Sequence, residues 1–248
     1  MSAPTPPIFF LHLQKTAGTS LNFRLRNCFP RDAIYPQRVD EGSVPAVISV
    51  DHLVARWQEH RDEIRIITGH FPLCTTELLG GGFTTFTVLR EPVERTLSYL
   101  RHHRKMTPDE ADRSLEEIYD DPFRFHGMIH NHMTKMLSLT TAEMDDGMLT
   151  RVEFTPARLE RAEQNIAGVD FVGVQSHFDE FCDELTEHFG WDLGDPRHAN
   201  QTEPVDVSAS FLDRIAEDNA MDGELYEFTC RLVERRRASS GREPRPSG

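Results

Sequence analysis

Three segments of the sequence pair a short apolar run with a helical pattern that follows it closely. The pairs are Ile8–Leu13 with Thr19–Phe29, Phe83–Leu89 with Val93–Lys105, and Phe171–Val174 with Phe178–Phe189. A further buried strand is predicted over Ile64–Thr68. Because a helix between two strands carries the chain back across the sheet, this repetition demands parallel strands. We therefore predict an α/β fold in which helices flank a parallel sheet and ligands bind beyond the carboxyl ends of its strands.

The length and composition fit one domain of this kind. The chain has 248 residues, of which 38% are hydrophobic, and this is enough to bury a sizeable core. We predict that residues 1–235 form this single domain. The sequence from 236 to 248 contains several arginines and almost no apolar residue, so it is predicted to be a disordered basic tail.

Residues 107–150 separate the second strand–helix pair from the third. This stretch is rich in charged and turn-forming residues, and short helices are predicted around Arg113–Tyr119 and Met128–Leu137. We expect it to supply the elements that face a substrate.

The charge of the chain limits its partners. Lys and Arg number 27 against 41 Asp and Glu, which gives a formal net charge of −14. Such an acidic surface argues against nonspecific binding to nucleic acid or to an anionic membrane. Any anion must therefore be held by a few local basic groups. The basic run Arg101–Lys105 is either a solvated helix face or a rim that attracts such an anion.

The sequence also bears on compartment and metal content. No run of roughly eighteen apolar residues occurs, and the N-terminus lacks the layout of a signal peptide, so we expect a cytoplasmic protein without a transmembrane segment. The four cysteines are far apart and are expected to be reduced thiols; they are Cys28, Cys74, Cys182 and Cys230. Three histidines, His126, His130 and His132, lack acidic or thiol companions at zinc spacing, so no metal site is expected.

The loop after the first strand has the composition of an anion site. Lys15, Gly18 and the hydroxyl residues Thr16, Thr19 and Ser20 lie between a strand and a helix. Such a loop aims backbone N–H groups and a helix N-terminus at one point, where a phosphate is favoured. Gly18 would permit a tight turn. The lysine precedes the glycine, so this is not a standard Walker A loop. The alternative interpretation is that Thr19 or Ser20 is an ordinary helix cap and Lys15 is a surface residue.

A second basic segment follows the second predicted strand. Arg90 stands at the end of that strand, Pro92 suits the first turn of the next helix, and Ser98 lies on that helix. Arg90 and Ser98 can converge on one anion, the former with forked donors and the latter with a hydroxyl. A surface helix with ordinary Arg–Glu pairs is an equally good account of this segment taken alone.

His70 is the best candidate for a general base among the twelve histidines. It lies just beyond the strand predicted over Ile64–Thr68, at the sheet edge where the two basic segments should meet. Imidazole titrates in the range that proton transfer near neutral pH requires. The other interpretation is a loop histidine after the Gly69 turn.

Together these segments resemble the PAPS-dependent carbohydrate sulfotransferases, where PAPS is 3′-phosphoadenosine 5′-phosphosulfate. The similarity is greatest to the heparan sulfate 6-O-sulfotransferase group, and the 2-O-sulfotransferases are more distant. The segment Leu11–Ser20 resembles their 5′-phosphosulfate loop, and Leu89–Ser98 resembles their 3′-phosphate motif. The resemblance continues through Asn131–Leu137, Leu159–Asn165 and Phe171–Val174. One departure is Ala17, where that loop has glycine.

The resemblance implies a P-loop-like sulfotransferase fold and a set of site residues. Residues of the first loop would bind the 5′-phosphosulfate, and these are Lys15, Thr16, Ala17, Gly18, Thr19 and Ser20. Arg90 and Ser98 would bind the 3′-phosphate, and a loop containing Asn200 and Thr202 would close over the nucleotide. His70 and Lys15 would be catalytic. Substrate contacts are suggested for His12, Asn131 and His132, although His12 could equally be structural.

The function predicted on this basis is transfer of a sulfuryl group from PAPS to an acceptor hydroxyl, with adenosine 3′,5′-bisphosphate as product and no metal requirement. The acceptor would be a sugar, a glycolipid or a small hydroxylated metabolite. Two other functions stay open. A nucleotide-dependent phosphotransferase would need Mg²⁺ and a carboxylate ligand, for which Glu91 is the one candidate, and a non-catalytic nucleotide-binding protein would not need His70. The oligomeric state cannot be predicted.

Overall fold

Five short strands form one sheet, and every pairing in it is parallel. The computed structural model describes residues 6–194 and 207–239. The strands are β1 (Ile8–Leu11), β2 (Ile34–Tyr35), β3 (Ile66–Gly69), β4 (Thr84–Leu89) and β5 (Phe171–Val174), in the order β2-β3-β1-β4-β5. The predicted α/β fold with a parallel sheet flanked by helices is confirmed.

Helices connect and cover these strands. In chain order they are α1 (Gly18–Cys28), α2 (Val44–Ile48), α3 (Val50–His60), α4 (Thr75–Leu78), α5 (Pro92–Met106), α6 (Leu115–Tyr119), α7 (Pro122–Arg124), α8 (His132–Ser138), α9 (Pro156–Gly168), α10 (Phe178–Phe189), α11 (Ala209–Asp218) and α12 (Ala220–Ser239). A π-helical segment, Phe125–Ile129, lies between α7 and α8.

The central strand β1 is buried on both faces, as a parallel strand between helical layers must be. Successive side chains alternate between the faces, so Phe9 and Leu11 belong to one core and Ile8 and Phe10 to the other. The first core includes residues of α3, α8, α9 and α12, and the second includes residues of α1 and α10. The sheet is thus held rigidly from both sides.

The helix α5 departs from this pattern. Its apolar residues Leu97 and Leu100 pack against α6 and α11 in a third cluster, which contains Ile118, Phe211 and Ile215. A continuous apolar contact therefore fixes α5 beyond the end of β4. Arg90, which directly precedes the start of α5, contacts the loop that follows β1.

Most predicted elements agree with the structure to within two residues. β5 and α10 have the predicted bounds. The single helix predicted over Met128–Leu137 is wrong: Asn131 has a φ of 44°, a left-handed conformation that ends the π-helical segment before α8 begins. The N-cap residue of α10 is His177, and no side chain caps the helix.

The C-terminal boundary also differs from the prediction. We expected the ordered domain to end at residue 235, but α12 continues to Ser239. Arg236 is anchored because its guanidinium donates to the carbonyl oxygens of Ala167 and Val169, at 2.8 and 2.9 Å. The remainder of the predicted tail, 240–248, lies outside the described residues. None of the described helices is long and apolar enough to cross a membrane.

Candidate functional site

Three neighbouring strands place the predicted site residues at one edge of the sheet. β1 lies between β3 and β4, and Leu11 pairs with Gly69 on one side and with Thr87 on the other. The loop that begins at His12 therefore emerges beside His70 and near Arg90. Because the strands are parallel, their carboxyl ends meet here, and the structure brings the two predicted basic segments and the predicted base together.

The loop after β1 turns at two residues with positive φ. Lys15 has a φ of 66° and Ala17 a φ of 74°, both in the left-handed region that disfavours a Cβ atom. The buried Thr16 hydroxyl donates to the carbonyl oxygen of Leu13 at 3.0 Å and closes the turn. The hydroxyl proton is thus used within the loop, and a phosphate contact of Thr16 stays a prediction.

Gly18 has a different role from the one predicted. It is the first residue of α1 and is not one of the positive-φ positions. A Cβ atom on Gly18 would lie 1.9 Å from Cδ2 and 2.2 Å from Nε2 of His12. The glycine is thus required because the His12 ring packs directly against the backbone at the start of α1.

The start of α1 offers free backbone donors. Ala17 occupies the N-cap position, and no side chain caps the helix, so neither Thr19 nor Ser20 is an ordinary cap. The first intrahelical bond runs from the Leu21 N–H to the Ala17 carbonyl at 3.2 Å. The N–H groups that precede it have no intrahelical acceptor and lie at the positive end of the helix dipole. This is a suitable position for an anion.

Arg90 joins β4 to the loop. Its Nη1 donates to the Lys15 carbonyl at 3.3 Å, and its Nη2 contacts Oε2 of Glu94 at 3.2 Å. Its Nε is buried and has no hydrogen-bond partner. Glu91, in contrast, is committed to α5, since its carboxylate accepts from the N–H groups of Val93 and Glu94. Arg90 therefore has capacity left for a ligand, and Glu91 does not.

The Lys15 ammonium group is partly buried next to this arginine. Burial lowers the pKa of Lys15, and the charge of Arg90 lowers it further. No acidic side chain in the described part of the chain forms an ion pair with Lys15. A bound anion would offset both unfavourable effects, so the charges here favour an anionic ligand.

The hydrogen bond of His70 fixes its tautomer. Its Nδ1 lies 2.7 Å from the carbonyl oxygen of His12, which can only accept, so Nδ1 carries the proton. In the neutral ring Nε2 then has the free lone pair. Burial lowers the pKa of His70, and the charge of Lys15 lowers it further. The hydrogen bond to the His12 carbonyl raises the pKa and partly offsets these two effects. The ring is therefore neutral at pH 7 and able to accept a proton.

His12 lies between His70 and α1. Its ring centroid is 4.5 Å from that of His70, and its ring stacks on Phe10. The side chain is buried, and burial holds its pKa well below the usual value, with smaller contributions from His70 and Lys15. Its carbonyl orients His70 and its ring packs on Gly18, so His12 has at least a structural role in the site.

Asn131 and His132 do not join this group. The Asn131 side chain is buried, accepts from the N–H of Asp222 at 3.0 Å and donates to the carbonyl of Asp218 at 3.2 Å. The Asn131 amide thus connects the start of α8 to the end of α11 and the start of α12, and the substrate contact predicted for it stays a prediction. His132 is fully buried, and the substrate contact predicted for it also stays a prediction.

Two buried cations near the site were not predicted from the sequence. The Lys135 ammonium donates to the carbonyls of His126 and Gly127, and the Arg95 guanidinium donates to those of Met128 and Ile129. The four acceptors are consecutive residues of the π-helical segment. Burial, with a smaller contribution from Arg95, lowers the pKa of Lys135 to about 7. Lys135 lies in an apolar stretch that gives no sign of these partners.

The remaining predicted residues lie on α5 or outside the described ranges. Ser98 is partly exposed on α5. Asn200 and Thr202 lie outside the described residues. In the ranges 6–194 and 207–239, no three His, Cys, Asp or Glu side chains come together as a metal site would require. His126 and His130, which could have suggested such a site, have ring centroids 6.5 Å apart.

The residues present fit a nucleotide with two separate anionic groups. One group would meet Lys15 and the free N–H groups of α1, and the other would meet Arg90, whose buried Nε lacks an acceptor. A buried donor without a partner is costly, and a ligand oxygen would remove that cost. The base, His70, stands on the far side of the loop from Arg90.

Known proteins resemble this chain in structure and not in sequence. No known protein-family profile matches the chain, and no curated protein matches it in sequence. Among the similar solved structures is a sulfotransferase from Alicyclobacillus acidocaldarius, which is similar over 96% of this chain and 97% of that one, with 17% identity and a TM-score of 0.44.

Proposed function

We propose that this chain is a sulfotransferase that moves a sulfuryl group from PAPS to an acceptor hydroxyl. The observation that carries the proposal is the pair of contacts on the loop after β1. Arg90 donates to the Lys15 carbonyl, and His70 donates to the His12 carbonyl. One short loop therefore connects a cation suited to the nucleotide, a cation suited to the transferring group and a base suited to the acceptor.

The donor-binding roles follow from these positions. Lys15 and the free N–H groups at the start of α1 would bind the 5′-phosphosulfate. Arg90 and Ser98 would bind the 3′-phosphate, which distinguishes PAPS from ATP. Asn200 and Thr202 stay predicted contacts of the nucleotide. We expect no metal to be needed, because the protein itself supplies the positive charge.

The chemistry is an in-line displacement at sulfur. The acceptor oxygen forms a bond to sulfur while the bond from sulfur to the 5′-phosphate oxygen breaks, which releases adenosine 3′,5′-bisphosphate. The hydroxyl proton passes to Nε2 of His70, the nitrogen left free by the bond to His12. Lys15 stabilises the negative charge that develops on the leaving phosphate.

One observation disfavours the phosphotransferase alternative. That function needs a carboxylate ligand for Mg²⁺ at a strand end, and Glu91 is the residue that the sequence offers. Both carboxylate oxygens of Glu91 accept backbone N–H groups of α5. The side chain is therefore occupied in capping the helix.

Calorimetry tests the nucleotide assignment. We expect adenosine 3′,5′-bisphosphate to bind at least about tenfold more tightly than AMP or ATP without Mg²⁺, because only the bisphosphate reaches Arg90 and Ser98. Equal or weaker affinity for the bisphosphate would remove the 3′-phosphate role from both residues. A screen of sugars, glycolipids and small hydroxylated metabolites with labelled PAPS would identify the acceptor.

The variant His70→Ala tests the base. We expect sulfuryl transfer to fall by a factor on the order of 10²–10⁴, the usual contribution of a general base, while bisphosphate affinity is retained. His60→Ala, at the partly exposed end of α3 and away from the loop after β1, is the matched control and should change neither quantity. Unchanged turnover in His70→Ala would leave a non-catalytic nucleotide-binding protein as the better interpretation.

A further inference from the structure

Arg101 lies beside Ser98 on the surface of α5. Residues three apart on a helix are neighbours, with Cβ atoms about 5–6 Å apart. An anion that the Ser98 hydroxyl binds therefore lies within reach of the Arg101 guanidinium. The Arg101 side chain is partly exposed, and its Nε is buried without a hydrogen-bond partner.

Arg90, which precedes Ser98 in the sequence, also has a buried Nε without a hydrogen-bond partner. One of its Nη atoms contacts Glu94, and the other donates to the Lys15 carbonyl. A guanidinium can offer Nε together with one Nη to two oxygens of a phosphate. Arg95 has an unpartnered Nε too, but it is fully buried and bound to the π-helical segment, so it cannot turn to the surface.

The same face of α5 carries one more positive charge. His102 and Lys105 follow Ser98 by four and seven residues, so they lie within one stripe of the helix with Arg101. Both are exposed. Burial lowers the pKa of His102, and the charge of Lys15 lowers it further, so the ring is neutral at pH 7 and the stripe owes its charge to Arg101 and Lys105. In a chain with a net charge of −14, such a stripe is a local exception.

We propose that Arg101 is a further nucleotide-binding residue, which binds the 3′-phosphate together with Arg90, and that Lys105 attracts the donor to the site. This inference rests on the proposed function, since it takes the 3′-phosphate to lie at Ser98. The sequence motif ends at Ser98, and the sequence alone allows the run Arg101–Lys105 to be either a solvated helix face or a rim that attracts an anion.

The test compares two ligands that differ by one phosphate. Adenosine 3′,5′-bisphosphate and AMP are titrated calorimetrically into the wild type, Arg101→Gln and Arg104→Gln. Arg104 is the matched control, since it loses the same charge from the same helix at about 120° around the axis from Ser98. We expect Arg101→Gln to weaken the bisphosphate by about 10- to 100-fold, the range for a bond to a charged group, and AMP by less than about threefold. Arg104→Gln should change both by less than about threefold.

Each other outcome has a definite meaning. An equal loss for both ligands, or no loss for either, would overturn the role of Arg101, provided that the wild type prefers the bisphosphate. A wild type that does not prefer the bisphosphate would instead overturn the proposed function itself. Melting temperatures of the variants without ligand would show whether a loss reflects the fold.

The attracting role has its own readout. In Lys105→Gln, we expect the association rate constant for the bisphosphate to fall by about two- to threefold at low salt, with the dissociation rate constant unchanged, because rim charges act mainly on encounter. Stopped-flow binding at several salt concentrations measures both constants. A change confined to the dissociation rate constant would overturn long-range attraction and indicate direct contact.

Discussion

Two lysine–arginine pairs stand in contrasting surroundings near the same sheet edge. Lys15 and Arg90 follow the strands β1 and β4, and both side chains are partly exposed. The Arg90 guanidinium donates one hydrogen bond to the backbone carbonyl of Lys15. Lys135 and Arg95 are fully buried, and together they donate to four consecutive carbonyls of the π-helical segment. In each pair the arginine lowers the pKa of the lysine.

The difference lies in which unpaired donors a ligand can reach. The buried Lys135 donates to two backbone carbonyls, and the unpartnered Nε of Arg95 belongs to a side chain with no exposed surface. The Lys15 ammonium forms no ion pair with any described acid, and the unpartnered Nε of Arg90 belongs to a partly exposed side chain. Burial and a perturbed pKa are common to both pairs, so they do not by themselves distinguish a site from a structural cluster. Unpaired donors on accessible side chains do.

The largest expected effect separates the pairs by activity. In Lys15→Met, sulfuryl transfer from PAPS should fall by about 10²–10³-fold, because charge on the leaving phosphate loses its stabilising cation. The free energy of unfolding should change by less than about 0.5 kcal/mol, since this side chain has no acidic partner to lose. Turnover with the best acceptor from the screen and urea unfolding measure the two quantities. A stability loss as large as that of a core residue would make Lys15 structural.

The second prediction expects the opposite result, a loss of stability without a loss of nucleotide affinity. Lys135→Met should lower the free energy of unfolding by about 2–4 kcal/mol, because the carbonyls of His126 and Gly127 stay buried without a donor. Bisphosphate affinity, measured by calorimetry where the variant is folded, should stay within about threefold of the wild type. Unaltered stability would contradict the structural role that distinguishes the two lysines.

The third prediction concerns pH. The pKa of Lys135 is about 7 in the folded protein, well below that of an unfolded lysine, so the unfolded state binds more protons above pH 7. The stability of the wild type relative to Lys135→Met should therefore rise with pH, by about 1 kcal/mol per unit between pH 7 and 9, and level off below pH 7. Urea unfolding of both proteins across this range gives the difference. A flat difference would mean that the buried lysine keeps its ordinary pKa.

The smallest expected effect concerns the loop that carries Lys15. Ala17→Gly should raise the free energy of unfolding by up to about 1 kcal/mol, because glycine adopts the φ of 74° without the steric cost that alanine has. Ala216→Gly, at an exposed position of α11, is the control and should lower it by about 1 kcal/mol. If both variants are destabilised alike, the left-handed conformation of Ala17 does not carry that cost.

Much of the fold and part of the site follow from the sequence alone. The strand–helix pairs predict the parallel sheet, and parallel strands must bring the residues after β1, β3 and β4 to one edge. That rule places Lys15, His70 and Arg90 together without any knowledge of their contacts. The two-residue strand β2 is too short to leave a pattern.

The hydrogen-bond partners of polar side chains are what the sequence does not reveal. Asn131 bonds to Asn219 and Asp222, which lie 88 and 91 positions away, and no local pattern indicates that. The Thr16 hydroxyl lies in a loop of phosphate-binding type, yet it donates to the carbonyl oxygen of Leu13 and closes the turn. Sequence predicts where a polar side chain lies along the chain more readily than it predicts which atom its hydrogen bond reaches.

The contact between His12 and Gly18 has a consequence for how such a chain can vary. Any side chain at position 18 would enter the space of the His12 ring, and a displaced ring would move the carbonyl that orients His70. The two positions are therefore expected to change together during evolution, with a larger residue at 18 tolerated only beside a smaller one at 12. A relative that exchanged both would keep the loop but would need another way to orient its base.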